Sequence, residues 1–76
     1  MNQKLPALKS KEIIKILLKA GFVERKHTGK HLIFKHPLTK KMIPVPVHGS
    51  KDIKKGTLYN IIKQSGLTIE QFLSLR

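Results

Sequence analysis

The chain has 76 residues, enough for one small domain and too few for a second hydrophobic core. Its 16 lysines and arginines against four acidic residues give a formal net charge of +12, which favours a polyanionic partner, either nucleic acid or an acidic protein. The absence of cysteine excludes disulfides and thiolate metal ligands, and no apolar run approaches the ~18 residues that span a bilayer, so we expect a cytoplasmic protein without a membrane partner.

The first predicted element is a helix that follows a short leader. Residues 1–9 are polar and contain a proline, so we predict a flexible arm, with residues 10–76 forming the single domain. Ser10 is a good N-cap for a helix through Ala20, and Gly21 favours a stop there. Aliphatic residues at helical spacing predict the buried face of this helix: Ile13, Ile14, Leu17 and Leu18.

Three short strands are predicted next, at residues 22–26, 31–36 and 42–47. Turns with glycine or proline separate them. The third strand contains Pro44 and Pro46, which cannot donate hydrogen bonds to a neighbouring strand. We therefore predict an antiparallel three-stranded sheet with the third strand at its edge.

Two helices complete the chain. Leu58, Ile61 and Ile62 indicate an amphipathic helix that ends at Gly66, and Thr68 with Gln71 has the spacing of a capping box. The order α-β-β-β-α with a short extra C-terminal helix predicts an α+β fold of two layers, in which the helices cover one face of the sheet.

Four histidines are candidates for metal binding or for proton transfer: His27, His31, His36 and His48. A strand-turn-strand path does not bring the first three together, and no acidic residue lies among them, so we expect no metal site and no cofactor. Strand alternation places Leu32 and Phe34 towards the core and leaves His31 towards solvent. His36, before Pro37, is expected to have a structural role in a turn.

A reachable histidine among lysines is sufficient for one kind of chemistry. RNA carries its own nucleophile, the 2′-hydroxyl, and histidine, with an unperturbed pKa of about 6.5, is suited to act as its general base. His31 is the candidate, with a solvated surface histidine as the alternative. Lysines that precede a helix start at Gly56 and Thr57 predict a phosphate clamp, with an ordinary helix start among solvated lysines as the alternative.

Several short motifs together resemble the HicA toxin family. They are Gly-Phe-Val at 21–23, Gly29-Lys30-His31, His-Pro at 36–37, Val-Pro-Val-His at 45–48, Lys-Lys-Gly-Thr-Leu at 54–58 and Ser-Gly-Leu-Thr at 65–68. The resemblance runs from about Ser10 to Leu75 and keeps the family's order and spacing. It implies a fold similar to the double-stranded-RNA-binding domain, the activity of a messenger-RNA interferase, and inhibition by a HicB-type antitoxin.

The resemblance also implies site residues. The family's catalytic histidine follows a Gly-Ser pair and corresponds to His31, but Lys30 stands where serine is usual. If that serine orients the imidazole, its role is altered here; if it only starts the strand, Lys30 adds a phosphate contact. Apart from the resemblance, His48 is an auxiliary candidate for the general acid, with a structural residue after the edge strand as the favoured alternative. The candidate RNA-contacting residues are Gly29, Lys30, Lys35, Lys51, Lys54, Lys55, Gly56 and Thr57.

The function expected from these observations is metal-independent cleavage of RNA through attack of the 2′-hydroxyl. The alternative is a non-catalytic RNA-binding module that recognises shape and phosphates. We expect a monomer when the protein is free and a hetero-oligomer when it is bound to an antitoxin of the HicB type.

Overall fold

The computed structural model describes residues 5–47, 49 and 51–76. The elements, in chain order, are α1 (Ser10–Lys19), β1 (Val23–Thr28), β2 (His31–Lys35), β3 (Met42–Pro46), α2 (Lys55–Ser65) and α3 (Ile69–Ser74). The strands form an antiparallel sheet in the order β1-β2-β3. This arrangement confirms the predicted α+β fold, its short C-terminal helix and the edge position of β3.

Alternation along β2 separates a buried face of the sheet from an outer face. Phe34 and its cross-strand partner Ile43 are both fully buried and belong to the core. His31 pairs with Pro46 on the outer face, and its side chain is exposed. The predicted orientation of this strand is therefore confirmed.

Glycines in the left-handed conformation end the first two helices. Gly21 has φ of +98° and Gly66 has φ of +81°, and both stops match the sequence prediction. Gly21 is exposed, but a Cβ there would lie 3.0 Å from Nε2 of His36, so a side chain would press on that ring. At the third helix, Thr68 and Gln71 exchange the two hydrogen bonds of the predicted capping box, at 3.0 and 3.1 Å.

The start of α1 differs from the prediction. Ser10 is the first helical residue and Lys9 precedes it as the N-cap. The Ser10 hydroxyl donates to the backbone carbonyl of Pro46 at 2.7 Å, so it ties the helix to β3 instead of capping it. The prediction of Ser10 as the N-cap was therefore wrong, because a tertiary acceptor binds its hydroxyl.

The buried face of α1 is also shifted from the predicted one. Ile13, Ile16 and Leu17 are fully buried, whereas Leu18 is 53% exposed. Ile14 lies between these extremes and packs at the margin of the core. The prediction was wrong for Leu18, because the helix turns Ile16 instead of Leu18 towards the sheet.

The segment before α1 packs on the domain. Leu5 and Leu8 are buried, and the Leu8 carbonyl accepts a hydrogen bond of 2.8 Å from the Ile53 N–H. Lys9 lies beside Asp52, with its Nζ 3.3 Å from the carboxylate. Residues 5–9 thus differ from the predicted flexible arm, because two leucines bury apolar surface; residues 1–4 lie outside the described residues.

The helices cover only part of the sheet. The main helix contacts with the sheet are those of α1 and α2 with β3, and every residue of β1 is exposed. No helix among the described residues has both the length and the apolar character that a membrane crossing requires.

The free edge of β3 has few hydrogen-bond donors. Val47 donates its N–H towards β2, to the Lys30 carbonyl at 2.9 Å. Backbone groups alternate in direction along a strand, so the nitrogens of Pro44 and Pro46 face the free edge, where proline has no hydrogen to donate. Ser10 binds the Pro46 carbonyl on this same side.

Candidate active site

A groove of about 420 Å³ lies between the outer face of the sheet and α2. His31 and its partner Pro46 contribute the sheet wall, together with Pro44. The opposite wall is a polar stripe of the helix and its N-cap, consisting of Lys54, Thr57, Asn60 and Gln64. The buried side chains of Ile53 and Ile61 complete the lining. The groove therefore combines an imidazole, an ammonium group, a hydroxyl and two carboxamides.

Backbone hydrogen bonds fix the position of His31 just after the β1–β2 turn. The Thr28 hydroxyl donates to the His31 carbonyl at 3.1 Å, and the Lys30 carbonyl accepts from Val47. These bonds hold both peptide groups that flank the His31 Cα. The imidazole is exposed, and hydrogen bonds from both sides hold the backbone that carries it.

The helix wall presents positive charge and backbone donors. The first intrahelical bond of α2 runs from the Leu58 N–H to the Lys54 carbonyl, so the preceding N–H groups of residues 55–57 have no intrahelical acceptor. Lys54 is the N-cap residue and its side chain makes no capping bond. Among the described residues that line the groove, none is acidic. This wall suits a phosphate group.

The structure brings some of the predicted RNA-contacting residues to His31 and leaves others apart. Lys54 and Thr57 line the groove with His31. Lys30 lies beside His31 in an adjoining recess of about 380 Å³. Lys35 instead lines a separate pocket with Arg25 and Lys40. The remaining predicted residues are exposed but line neither cavity at His31: Gly29, Lys51, Lys55 and Gly56.

Sequence reasoning missed Asn60 and Gln64. Both are exposed on the same face of α2 as Thr57, at spacings of three and seven residues. That spacing is visible in the sequence, but only the packing of α2 against β3 shows that this face is opposite His31. The candidate acid His48 lies outside the described residues.

The other described histidines have different surroundings. His36 accepts two backbone hydrogen bonds at Nδ1, from Leu38 at 3.1 Å and Thr39 at 3.3 Å. Its ring also contacts Phe22 edge-on, with centroids 5.1 Å apart. These contacts give His36 the structural turn role predicted for it, whereas His27 is exposed on β1. In the described ranges, no group of three or more His, Cys, Asp or Glu side chains is placed to hold a metal ion.

Together these features define a class of protein: a strongly basic α+β domain with the element order of a double-stranded-RNA-binding domain and an exposed histidine in a cationic groove. The family model described as the HicA toxin of bacterial toxin–antitoxin systems matches residues 10–67, well over half of the chain. The chain therefore belongs to the HicA toxin family. No curated protein gave a significant match.

Membership of this family gives a coarse functional assignment. The chain is the toxin component of a bacterial toxin–antitoxin pair, with a nuclease role, an RNA substrate and an antitoxin partner in general terms. The matched range contains His31, Lys54, Thr57, Asn60 and Gln64, so the whole polar lining of the groove lies within it.

Proposed function

We propose that this protein is an endoribonuclease of the mRNA interferase type, which cleaves RNA by His31-dependent, metal-independent attack of the ribose 2′-hydroxyl. The observation that carries the proposal is the position of His31 in a groove whose opposite wall offers Lys54, Thr57 and the start of α2. An imidazole on one wall and phosphate-binding groups on the other are the two components that this reaction needs.

In the proposed reaction, His31 is the general base. One ring nitrogen takes the proton of the 2′-hydroxyl, and the oxygen attacks the adjacent phosphorus. The bond from phosphorus to the 5′-oxygen of the next nucleotide then breaks. The products are a 2′,3′-cyclic phosphate and a 5′-hydroxyl, and the 5′-oxygen takes up one proton.

The opposite wall stabilises the negative charge that develops on the phosphoryl oxygens. Lys54 supplies a full positive charge, and the α2 dipole is positive at this end of the helix. Asn60 and Gln64 have both donors and acceptors, which suits them to contact ribose or base edges beside the scissile phosphate. His48 is our candidate for the acid that protonates the leaving oxygen.

A HicB-type antitoxin would neutralise the toxin by covering His31 and placing acidic groups against the basic surface. Because the chain carries a formal charge of +12, association with an acidic partner is expected to be fast and strongly dependent on salt.

Substitution of His31 tests the proposal. The His31→Gln variant should lose cleavage by about 10²–10⁴-fold or more, because the base is removed, while RNA binding persists. His27→Gln is the matched control, since it removes another exposed imidazole outside the groove. Cleavage of a short RNA in EDTA, with identification of the ends, is the measurement.

Cyclic phosphate ends that form with the wild-type chain and His27→Gln, but not with His31→Gln, support the proposal. RNA that stays intact with the wild-type chain while it binds would favour the non-catalytic module. Cleavage that chelation abolishes would contradict the metal-independent mechanism.

A further inference from the structure

A second cationic pocket lies on the sheet away from the groove. It has a volume of about 220 Å³ and is lined by Val23, Arg25, Lys35, Pro37 and Lys40; we call it the Arg25 pocket. Three of its five lining residues carry a positive charge, and none is acidic. A cavity of this size and charge suits a small anionic group such as a phosphate.

The Arg25 pocket and His31 share one face of the sheet. Lys35 and His31 are four residues apart on β2, so they point to the same side, and Val23 pairs directly with Lys35. At about 3.3 Å per residue, their Cα atoms are about 13 Å apart along the strand. That separation corresponds to a few nucleotides of one strand, because the rise per nucleotide is about 3.4 Å along a stacked duplex and phosphates lie farther apart when the bases are unstacked. Ile33 lies between them on the same face, half-buried.

No acidic side chain in the described part of the chain forms an ion pair with the cations of this pocket. Among the described residues, the ion pairs are Lys9 with Asp52 and Arg76 with Glu12, and neither involves the pocket. Glu24 is adjacent in sequence, but it pairs with Phe34 and so belongs to the opposite face. Three cations placed together repel one another, and a bound anion relieves that repulsion.

The backbone conformation of Lys40 is a second observation on this pocket, separate from its charge. Lys40 has φ of +65°, and it is the one non-glycine residue in the described ranges with positive φ. The turn that holds it is closed by two bonds of 2.9 Å, from Lys40 N–H to the His36 carbonyl and from His36 N–H to the Lys41 carbonyl. Glycine or asparagine adopts this conformation at lower cost, so the fold alone does not favour lysine here. Lys40 thus combines a strained left-handed backbone with a position in the lining of a cationic pocket, and a binding role accounts for a lysine there.

We propose that the Arg25 pocket binds a backbone phosphate of single-stranded RNA, a few nucleotides from the bond positioned at His31. This inference rests on the ribonuclease function proposed above. The RNA crosses the outer face of the sheet, with its scissile phosphate in the groove, a base against Ile33 and a distal phosphate between Arg25, Lys35 and Lys40. The Arg25 pocket thus contributes affinity for longer RNA and does not take part in the bond cleavage.

The test measures binding of RNAs of two lengths that cannot be cleaved. The probes are a dodecamer and a trinucleotide made of 2′-O-methyl ribonucleotides, which lack the nucleophile, so binding is read independently of cleavage. The site variant is Arg25→Gln/Lys40→Asn. The matched control is Lys15→Gln/Lys63→Gln, which removes the same charge from exposed helix positions that line none of these cavities.

We expect the site variant to bind the dodecamer about tenfold more weakly, with a salt slope reduced by about one, because a phosphate contact is lost. The site variant and the control should bind the trinucleotide with equal affinity, since this probe is too short to span the two sites. Lys40→Asn alone should raise the Tm by a few degrees, because the left-handed turn is relieved, while it weakens dodecamer binding.

Three results would overturn the inference. One is an equal loss of dodecamer affinity in the site variant and the control, which would show that only the overall charge of the protein matters. Another is equal loss for both RNA lengths. The third is unchanged RNA binding with weakened binding of a decaglutamate peptide, which would assign the pocket to an acidic protein. A failure of the His31→Gln test would affect the catalytic proposal and would leave these length-dependent measurements unchanged.

Discussion

At the scale of single residues, the same side chain has different roles in different surroundings. His31 is exposed and lies opposite Lys54 and Thr57, His36 accepts two backbone N–H groups, and His27 is surrounded by solvent on β1. Histidine in the sequence therefore does not define a site. The groups that surround a histidine decide whether it can transfer protons, stabilise a turn or simply contact solvent.

Removal of the Lys54 charge should lower catalysis without loss of the fold. Lys54→Met keeps an unbranched side chain that is only one atom shorter, and the lysine side chain makes no capping bond that the substitution would break. The value of kcat should fall about 10²–10³-fold, the usual cost of losing one group that stabilises transition-state charge. Lys63→Met serves as the control, because Lys63 is exposed outside the groove. Equal activity of the two variants, measured as single-turnover cleavage, would contradict this role.

Removal of the His36 ring should destabilise the fold. In His36→Ala, the N–H groups of Leu38 and Thr39 lose their acceptor and Phe22 loses its edge-on contact. The free energy of unfolding should fall by about 1–3 kcal/mol, measured by urea denaturation. His27→Ala, at an exposed site, should change it by less than about 0.5 kcal/mol. Similar values for the two variants would exclude the structural role.

The sequence predicted individual site residues only in part. Strand alternation and the glycine turn indicated that His31 is exposed, because both are local properties. The contribution of Asn60 and Gln64 depends on the angle at which α2 crosses β3, which no local pattern contains. Ser10 was assigned to the wrong role for the same reason, since its acceptor is 36 residues away in the sequence.

At the scale of the elements, the order and type of the helices and strands in the described part of the chain could be predicted, since hydrophobic period and glycine stops are strong signals here. The packing of residues 5–9 could not be predicted, because Leu5 and Leu8 form no sustained periodic pattern. The Leu8 carbonyl accepts a hydrogen bond from the Ile53 N–H, in the segment before α2. This segment therefore helps to position the helix wall of the groove.

The start of α1 predicts a pH dependence of stability. The Lys9 N–H, which donates to the Glu12 carboxylate at 3.0 Å, holds the pKa of Glu12 below its ordinary value of 4.5, and the Arg76 guanidinium acts in the same direction. A lowered folded-state pKa means that the unfolded chain binds the proton more readily. The stabilisation is therefore present above pH 4.5 and is lost as the pH falls below it.

Thermal unfolding between about pH 6 and about pH 3 checks this expectation. The Tm of the wild-type chain should fall more steeply with acidification than that of Glu12→Gln, which has no carboxylate to protonate. Parallel curves for the two proteins would show that Glu12 does not contribute to the acid sensitivity.

At the scale of the whole molecule, unbalanced charge dominates. The chain has a formal charge of +12, and the ion pairs in the described part are two exposed ones. Exposed pairs contribute little, whereas repulsion among many cations opposes the compact state. The charge that suits an RNA-binding surface thus lowers the stability of the free protein.

Added salt should consequently stabilise the fold and weaken RNA binding at the same time. Between about 50 mM and about 500 mM sodium chloride, screening of the repulsion should raise the Tm. Over the same range the affinity for RNA should fall, because less is gained from counterion release. Calorimetry and a binding titration in matched buffers measure the two effects. A Tm that decreases with salt would show that attractive pairs outweigh the repulsion.

The prolines of β3 limit how a partner can approach the candidate active site. With Pro44 and Pro46 at its free edge and Ser10 bound to the Pro46 carbonyl, β3 cannot accept an additional strand from another protein. The exposed outer strand β1 is the edge that remains, and it lies across the sheet from the groove. A partner that extends the sheet at β1 would therefore leave the His31 imidazole uncovered. A partner that covers this imidazole must instead contact the outer face of the sheet, where His31 is exposed.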